Sequence, residues 1–424
     1  MRRPTAALLL LLVITGAVAI GGALLLVPVH GPQAVYRLVS FARLDGWGAD
    51  AHAAALPAFQ RSCAAFDRLP ADRPIGPHGL GGVAGDWREV CAAAMAIAPG
   101  DHAAARAFFE RHFTPVAVSG GGRRGGLFTG YYEPLLNGSL DAHPDYPVPL
   151  YRRPPELVTV DLGRFRDDLA GRRIAGSVAD GRLRPFASRR QIDAGALDRR
   201  GLELVWVDDP VAAFFLHIQG SGRVRLADGT LLRVGYDGPN GHPYTAIGRV
   251  LIARGALEAE QVSLQTIRAW LRANPDAAAE VMAANASYVF FRQLDGDGPV
   301  GAQGVALSPG RSLAVDRTVW PLGAPVWLDS AHPHAAEPET MVPLRRLMVA
   351  QDTGGAIRGA VRGDVFWGPG ADAEIIAGHM KSPGRYVMLL PRAVAQRVFD
   401  GRGVVTGGAL KEIARQATRT DRGG

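Results

Sequence analysis

Glycine and proline cut this chain into short pieces. The 53 glycines and 30 prolines are spread along the 424 residues instead of gathering in low-complexity runs, so few segments are long enough for extended helices. Turn-rich barrels or sandwiches are the architectures such punctuation favours. With 47% hydrophobic and 21% charged residues the chain is globular and can bury at least one large core. Its length suggests two or three domains.

Residues 48–115 read as helical, with alanine-rich apolar periodicity in HAAALPAFQRSCAAFDRL and HAAARAFFERHF. The texture then changes. GLFTGYYEP, YPVPLYRRP and LELVWVDDPVAAFFLHIQGSGRVRLADGTLLRVGY mix aromatic and β-branched residues with glycine turns and read as strands, with a hairpin about Asp228-Gly229. Helical spacing returns over 243–285, with breaks at Gly255 and Asn274-Pro275. SYVFFR, GVAL, APVWL, RLMVAQD, GDVFWG and RYVMLLP follow as six strand candidates, enough for a barrel. The glycine- and arginine-rich stretch from about 401 reads as a frayed tail.

After Arg2 and Arg3, residues 6–29 carry no charge and are long enough to span a bilayer core. An uncleaved membrane anchor is the favoured reading, a signal peptide cut after Ala17-Val18-Ala19 the competing one. Either way the body of the protein is exported. In an oxidising compartment Cys63 and Cys91, in two helix-like segments, read as a disulfide stapling a helical hairpin; two free buried thiols are the alternative. Two cysteines without a histidine pair at zinc spacing give no metal site. The net charge of +7 comes almost wholly from arginine, with Lys381 and Lys411 the lysines. No basic run with interleaved aromatics marks a nucleic-acid face, although a basic surface favours encounter with anionic polymers or lipid.

Chemistry points to the C-terminal third, where Asp316, Asp352 and Asp364 stand in apolar strands bounded by glycine turns. A carboxylate at a strand end, with glycines allowing close approach, suits a preorganised acid. Thr129, Tyr131 and Tyr132 combine hydroxyls with aromatic faces on which sugars stack, though tyrosines adjacent in a strand cannot face one way. Gln219 and Ser221 can present an amide and a hydroxyl to an N-acetyl group or simply form a polar hairpin end, and Trp367 reads either as a stacking platform or as a barrel plug. Glu133 is a rival acid or an arginine partner; His217, His242 and His379 offer no catalytic pattern. There is neither a G-x-S-x-G elbow nor a phosphate-binding G-x-x-x-x-G-K-[ST] loop, so no cofactor is expected.

GLFTGYYEP, FFLHIQGSGR, GYDGPNGHPYTAIGR, SYVFFR, VDRTVWPLGAPVWL and QDTGGAIRG followed by GDVFWG, in this order over roughly 120–395, resemble the membrane-bound lytic transglycosylases of the MltA type. The C-terminal part resembles the three-aspartate, or 3D, domain. The resemblance implies a mainly β fold with a helical N-terminal part: a double-psi β-barrel, an inserted smaller β-domain over 137–242, the rest of the main domain over 243–400, and a glycan-binding groove between the two. It implies cleavage of peptidoglycan glycan strands between N-acetylmuramic acid and N-acetylglucosamine with formation of 1,6-anhydromuramic ends, with Asp364 acting as acid and then base. Asp352 is then a partner of Asp364 or a turn cap, and Asp316 a support. Membrane attachment through the N-terminal segment and contact with cell-wall synthesis or division proteins are expected. A two-aspartate hydrolase and a noncatalytic wall-binding protein are the alternatives. Relatives are often lipoproteins; this chain has no cysteine near its hydrophobic segment.

Overall fold

The computed structural model describes residues 34–120, 125–169, 172–296 and 298–412. The expected anchor or signal segment lies outside these. Among the described residues no helix is long and apolar enough to cross a membrane.

Six strands close into a barrel. Going round the ring, Pro325–Pro333 pairs with Met341–Asp352, then come Ser312–Val315, Arg362–Pro369, Gly126–Glu133 and Lys381–Pro391, and the last pairs back onto Pro325–Pro333. Two of these pairings are parallel, 312–315 with 341–352 and 362–369 with 126–133. Parallel neighbours need long crossovers, so the chain must leave the barrel and return. The second crossover is the longer one: everything between Glu133 and Arg362 intervenes, including a whole second unit. Beyond the barrel, the 381–391 strand also carries Phe113–Gly120, and Ala34–Leu38 and Val404–Thr406 extend the sheet. The stretch expected to fray from about 401 is therefore ordered at least to this strand, and Leu410 is buried.

The barrel count of six matches the sequence expectation, but its membership differs. Val289–Gln293, from SYVFFR, joins the other sheet because Phe291 fills that sheet's core and Tyr288 and Phe290 pack beside Tyr151 and Phe186. GVAL forms only an isolated bridge, Val300 with Ala306. Their places are taken by Ser312–Val315 and by Gly126–Glu133. The former is four residues long and buried throughout, so it shows no period of two.

Helices Leu56–Asp67, Gly85–Met95 and His102–His112 cover one side of the barrel. In the first, Leu56, Phe59, Cys63 and Phe66 recur at helical spacing and are buried; Trp87, Val90, Cys91 and Ala94 do the same in the second. The two stripes face each other and Cys63 is bonded to Cys91, with Cα atoms 5.4 Å apart. Phe59, Phe66 and Trp87 stack there with Phe108, Phe109 and Phe113.

The second unit is a six-stranded sheet in the order Val289–Gln293, Leu231–Pro239, Ser221–Arg225, Leu135–Ser139, Glu203–Val207, Val148–Tyr151. A three-stranded sheet, Leu157–Asp161, Arg173–Ala179 and Arg182–Pro185, belongs to the same stretch of chain. The expected hairpin about Asp228-Gly229 is present: 221–225 and 231–239 pair antiparallel, Asp228 accepts from Thr230 N, and Gly229 has φ 85°. Pro210–Gln219, expected within a run of strands, is a helix. Asp209 caps it by accepting from Val211 N and Ala212 N, Pro210 occupies the first turn, and Gly220 ends it in the left-handed region. Ala213 and Leu216 pack on the sheet while Val211, Phe214 and Phe215 pack on the helices that follow, which is why it lacks a polar face.

Candidate active site

Four adjacent strands of the barrel assemble the site. Ala314 pairs with Asp352 on one side and Asp364 on the other, so the two aspartates stand on the strands flanking 312–315. On the far side of Asp364, the parallel register puts Thr129 opposite it. Thr129 Oγ1 donates to Asp364 Oδ1 at 2.7 Å and accepts from Arg362 Nη2 at 2.9 Å. Among the described residues, no other donor reaches Asp364.

The other two aspartates are fully engaged. Asp352 Oδ1 accepts from Ala302 N and Thr353 N, and Oδ2 accepts from the Tyr131 hydroxyl at 2.8 Å. Asp316 accepts from Thr318 N, the Thr318 hydroxyl and Gly359 N, and is nearly buried at 5% exposure. Asp352 thus caps its turn and also stands beside Asp364. Asp316 ties the end of its strand to the loop before Arg362.

Burial sets the protonation of the pair. It pushes the Asp364 carboxyl up to about 6, against the pull of the Arg362 charge and the Thr129 hydrogen bond, while the Asp352 charge adds to the rise. Burial likewise raises Asp352, and its three donors oppose that. The apolar wall is partly Phe366, fully buried and packed on Tyr131 with ring centroids 5.2 Å apart. Burial and the Asp352 charge hold the Tyr131 phenol well above its usual range, so it stays a donor.

Alternation along 126–133 sends Tyr131 and Tyr132 to opposite faces, but both rings are buried, at 8% and 3% exposure. Neither offers an open face to a sugar, so the expected stacking role does not fit this geometry. Tyr131 supports Asp352; the Tyr132 hydroxyl accepts from Arg268, which is itself paired with Glu374. Gln219, at the end of its helix and not in a hairpin, accepts from Tyr132 N through Oε1 and so fixes the second unit against the 126–133 strand. Ser221 is buried at the start of the adjoining strand. Trp367 is half-buried; among the described residues its indole N–H has no partner, His332 lies 4.8 Å away and the Arg346 guanidinium 6.0 Å. Gly130 is what admits this ring, since a Cβ there would sit 2.7 Å from the indole nitrogen.

Glu133 is buried between Arg223 at 2.8 Å and Arg233 at 3.6 Å, a structural ion pair and not a free acid. His217 is enclosed by Tyr288 and Phe291, accepts from Val289 N, and is held well below its usual range by burial. Two residues near Asp364 escaped the sequence reading. Arg362 precedes it by two positions on the same strand. Tyr244, 40% exposed in the GHPYTAIGR stretch that leads back from the second unit, has its phenol raised chiefly by burial and further by the Asp364 charge. An aromatic hydroxyl in a glycine- and proline-rich return was the available signal.

Residues 127–292 match the MltA specific insert domain and residues 311–390 match the 3D domain. The chain is 36% identical to a solved membrane-bound lytic murein transglycosylase from Agrobacterium tumefaciens, covering 85% of this chain and 99% of that one with a TM-score of 0.74. The chain belongs to the MltA family. Membrane-bound lytic murein transglycosylase A of Vibrio cholerae is 33% identical over 273 residues, 63% of this chain and 66% of that protein. The Escherichia coli MltA solved with bound chitohexaose is 29% identical, with a TM-score of 0.57 over 72% of this chain and 84% of that one.

Proposed function

We propose that this protein is a lytic transglycosylase of peptidoglycan and that Asp364 is its single acid and base. Family membership supports the reaction class. The observation that supports the assignment is that Asp364, alone of the three aspartates, keeps a carboxyl oxygen without a donor among the described residues, and its pKa of about 6 lets it hold a proton near neutrality.

Glycoside cleavage needs a proton on the leaving oxygen as the anomeric carbon takes on oxocarbenium character. Protonated Asp364 gives its proton to that oxygen as the C1–O bond breaks. The resulting carboxylate accepts the proton of the muramyl C6 hydroxyl while O6 bonds to C1, which closes the 1,6-anhydro ring and restores the acid. No water is consumed. Because the C6 hydroxyl is tethered to the same ring, its attack is intramolecular and no second carboxylate is needed to activate a nucleophile. Asp352 and Asp316 are committed to backbone and hydroxyl donors, which weighs against a hydrolase that draws its base from either. Thr129 and Arg362 orient the Asp364 carboxyl and limit how far its pKa rises.

The substrate assignment is to glycan strands, in line with the oligosaccharide-bound relative, and residues 6–29 are assigned to hold the enzyme at the membrane on the wall side. The test is turnover of purified sacculi by the full chain and by Asp364→Asn. Retained binding with turnover lost supports the assignment; undiminished turnover removes Asp364 from it.

A further inference from the structure

Ala314 of the 312–315 strand is opposite Asp364, and Arg317, three residues on in the turn that follows the strand, is at most about 10 Å from Ala314 along the chain. Arg317 is only half-buried, and among the described residues its guanidinium makes neither a hydrogen bond nor an ion pair. Its charged neighbours include two more cations, Arg358 and Arg173, beside Asp316 and Asp161. Arg358 is 65% exposed and comes no closer than 4.0 Å to Asp316, whose oxygens are already taken by Thr318 and Gly359. From the second unit, Arg173 is 52% exposed and holds Asp161 loosely at 3.7 Å. The Arg317 guanidinium is pushed down by burial and by the charges of Arg173 and Arg358, against the weaker pull of Asp161 and Asp316, so guanidiniums from both units outnumber the carboxylates here. Tyr236, 51% exposed, senses both Arg173 and Arg317 and gives the cluster an aromatic edge.

Three guanidiniums beside two carboxylates, Asp316 satisfied by its own donors and Asp161 held only loosely, leave an excess of positive charge for an external anion. The sugar backbone of peptidoglycan supplies none. Its anions are the carboxylates of the peptides attached to the muramyl lactyl groups. We propose that Arg317, with Arg173 and Arg358, takes a stem-peptide carboxylate, and that this site makes the enzyme favour peptide-bearing strands over strands stripped of peptide. The inference rests on the transglycosylase reading above.

The test compares kcat/KM of the full chain on intact sacculus strands and on the same strands after an amidase has removed their peptides and the lactyl carboxylates it frees have been capped as methylamides. In Arg317→Ala the ratio of the two values falls by about two- to fivefold, as expected for a partly exposed ion pair, mainly through KM on the peptide-bearing substrate. Arg317→Lys restores most of it. A ratio that does not change, or an equal loss on both substrates, overturns the inference while leaving the transglycosylase reading intact. Failure of the unsubstituted protein to cleave either substrate overturns both. If Arg317→Ala is poorly folded, Arg358→Ala gives the same comparison from the exposed side of the cluster, with the same two outcomes.

Discussion

At Asp364 the pKa fixes both the working range and a cost in stability. An acid with a carboxyl near 6 is protonated below that pH, so kcat/KM falls as pH rises through about 6. Stability follows the same sign: a raised carboxyl contributes most below its unfolded pKa and loses that contribution as pH rises through 6. Asp364→Asn therefore lowers turnover by about 10²–10⁴-fold and raises stability at neutral pH by about 1–3 kcal/mol, read from denaturant melts at pH 5 and pH 7.5. The gain is larger at the higher pH. Thr129→Val removes the donor that stabilises the anion, so the falling limb of the pH–rate profile moves up by about one unit; an unmoved or lowered limb contradicts the assigned hydrogen bond.

At the scale of elements, the two disulfide-linked helices were legible because each stripe repeats at helical spacing and carries one cysteine. The cross-link closes a loop spanning a 28-residue separation. Replacing Cys63 and Cys91 together by alanine lowers unfolding free energy by about 3–4 kcal/mol, measured by urea titration; a change below about 1 kcal/mol shows that the helix packing alone holds this region. Pro210–Gln219 does not read as a helix because Ala213–His217 are buried without a break, which erases the amphipathic signal, although Asp209-Pro210 and Gly220 mark a start and a stop. Ser312–Val315 and the reassignment of Val289–Gln293 were not legible for a different reason. Both are decided by which distant strand each meets, and local periodicity carries nothing about that.

For the molecule as a whole, a barrel interrupted between Glu133 and Ser312 makes the site a junction of distant parts: Thr129 precedes the second unit, while Asp352 and Asp364 follow it. Three aspartates could be seen in the sequence; that only one is left unsaturated required the donors from Ala302, Tyr131 and Gly359 to be seen in space. Closure of the ring is equally demanding. A Cβ on Gly126 would lie 1.7 Å from the Val361 carbonyl oxygen, so Gly126→Ala forces the 126–133 and 362–369 strands apart. Loss of turnover together with a lower melting temperature is the expected result, and a stable, fully active variant would show that the two strands tolerate displacement.

The central claim, one carboxyl group and no water, is tested most directly by mass spectrometry of fragments released from purified sacculi by the full chain, beside Asp364→Asn. 1,6-Anhydromuramyl ends from the unsubstituted protein and none from the variant are expected. Reducing muramyl ends would contradict it and return the chemistry to a hydrolase with a second base.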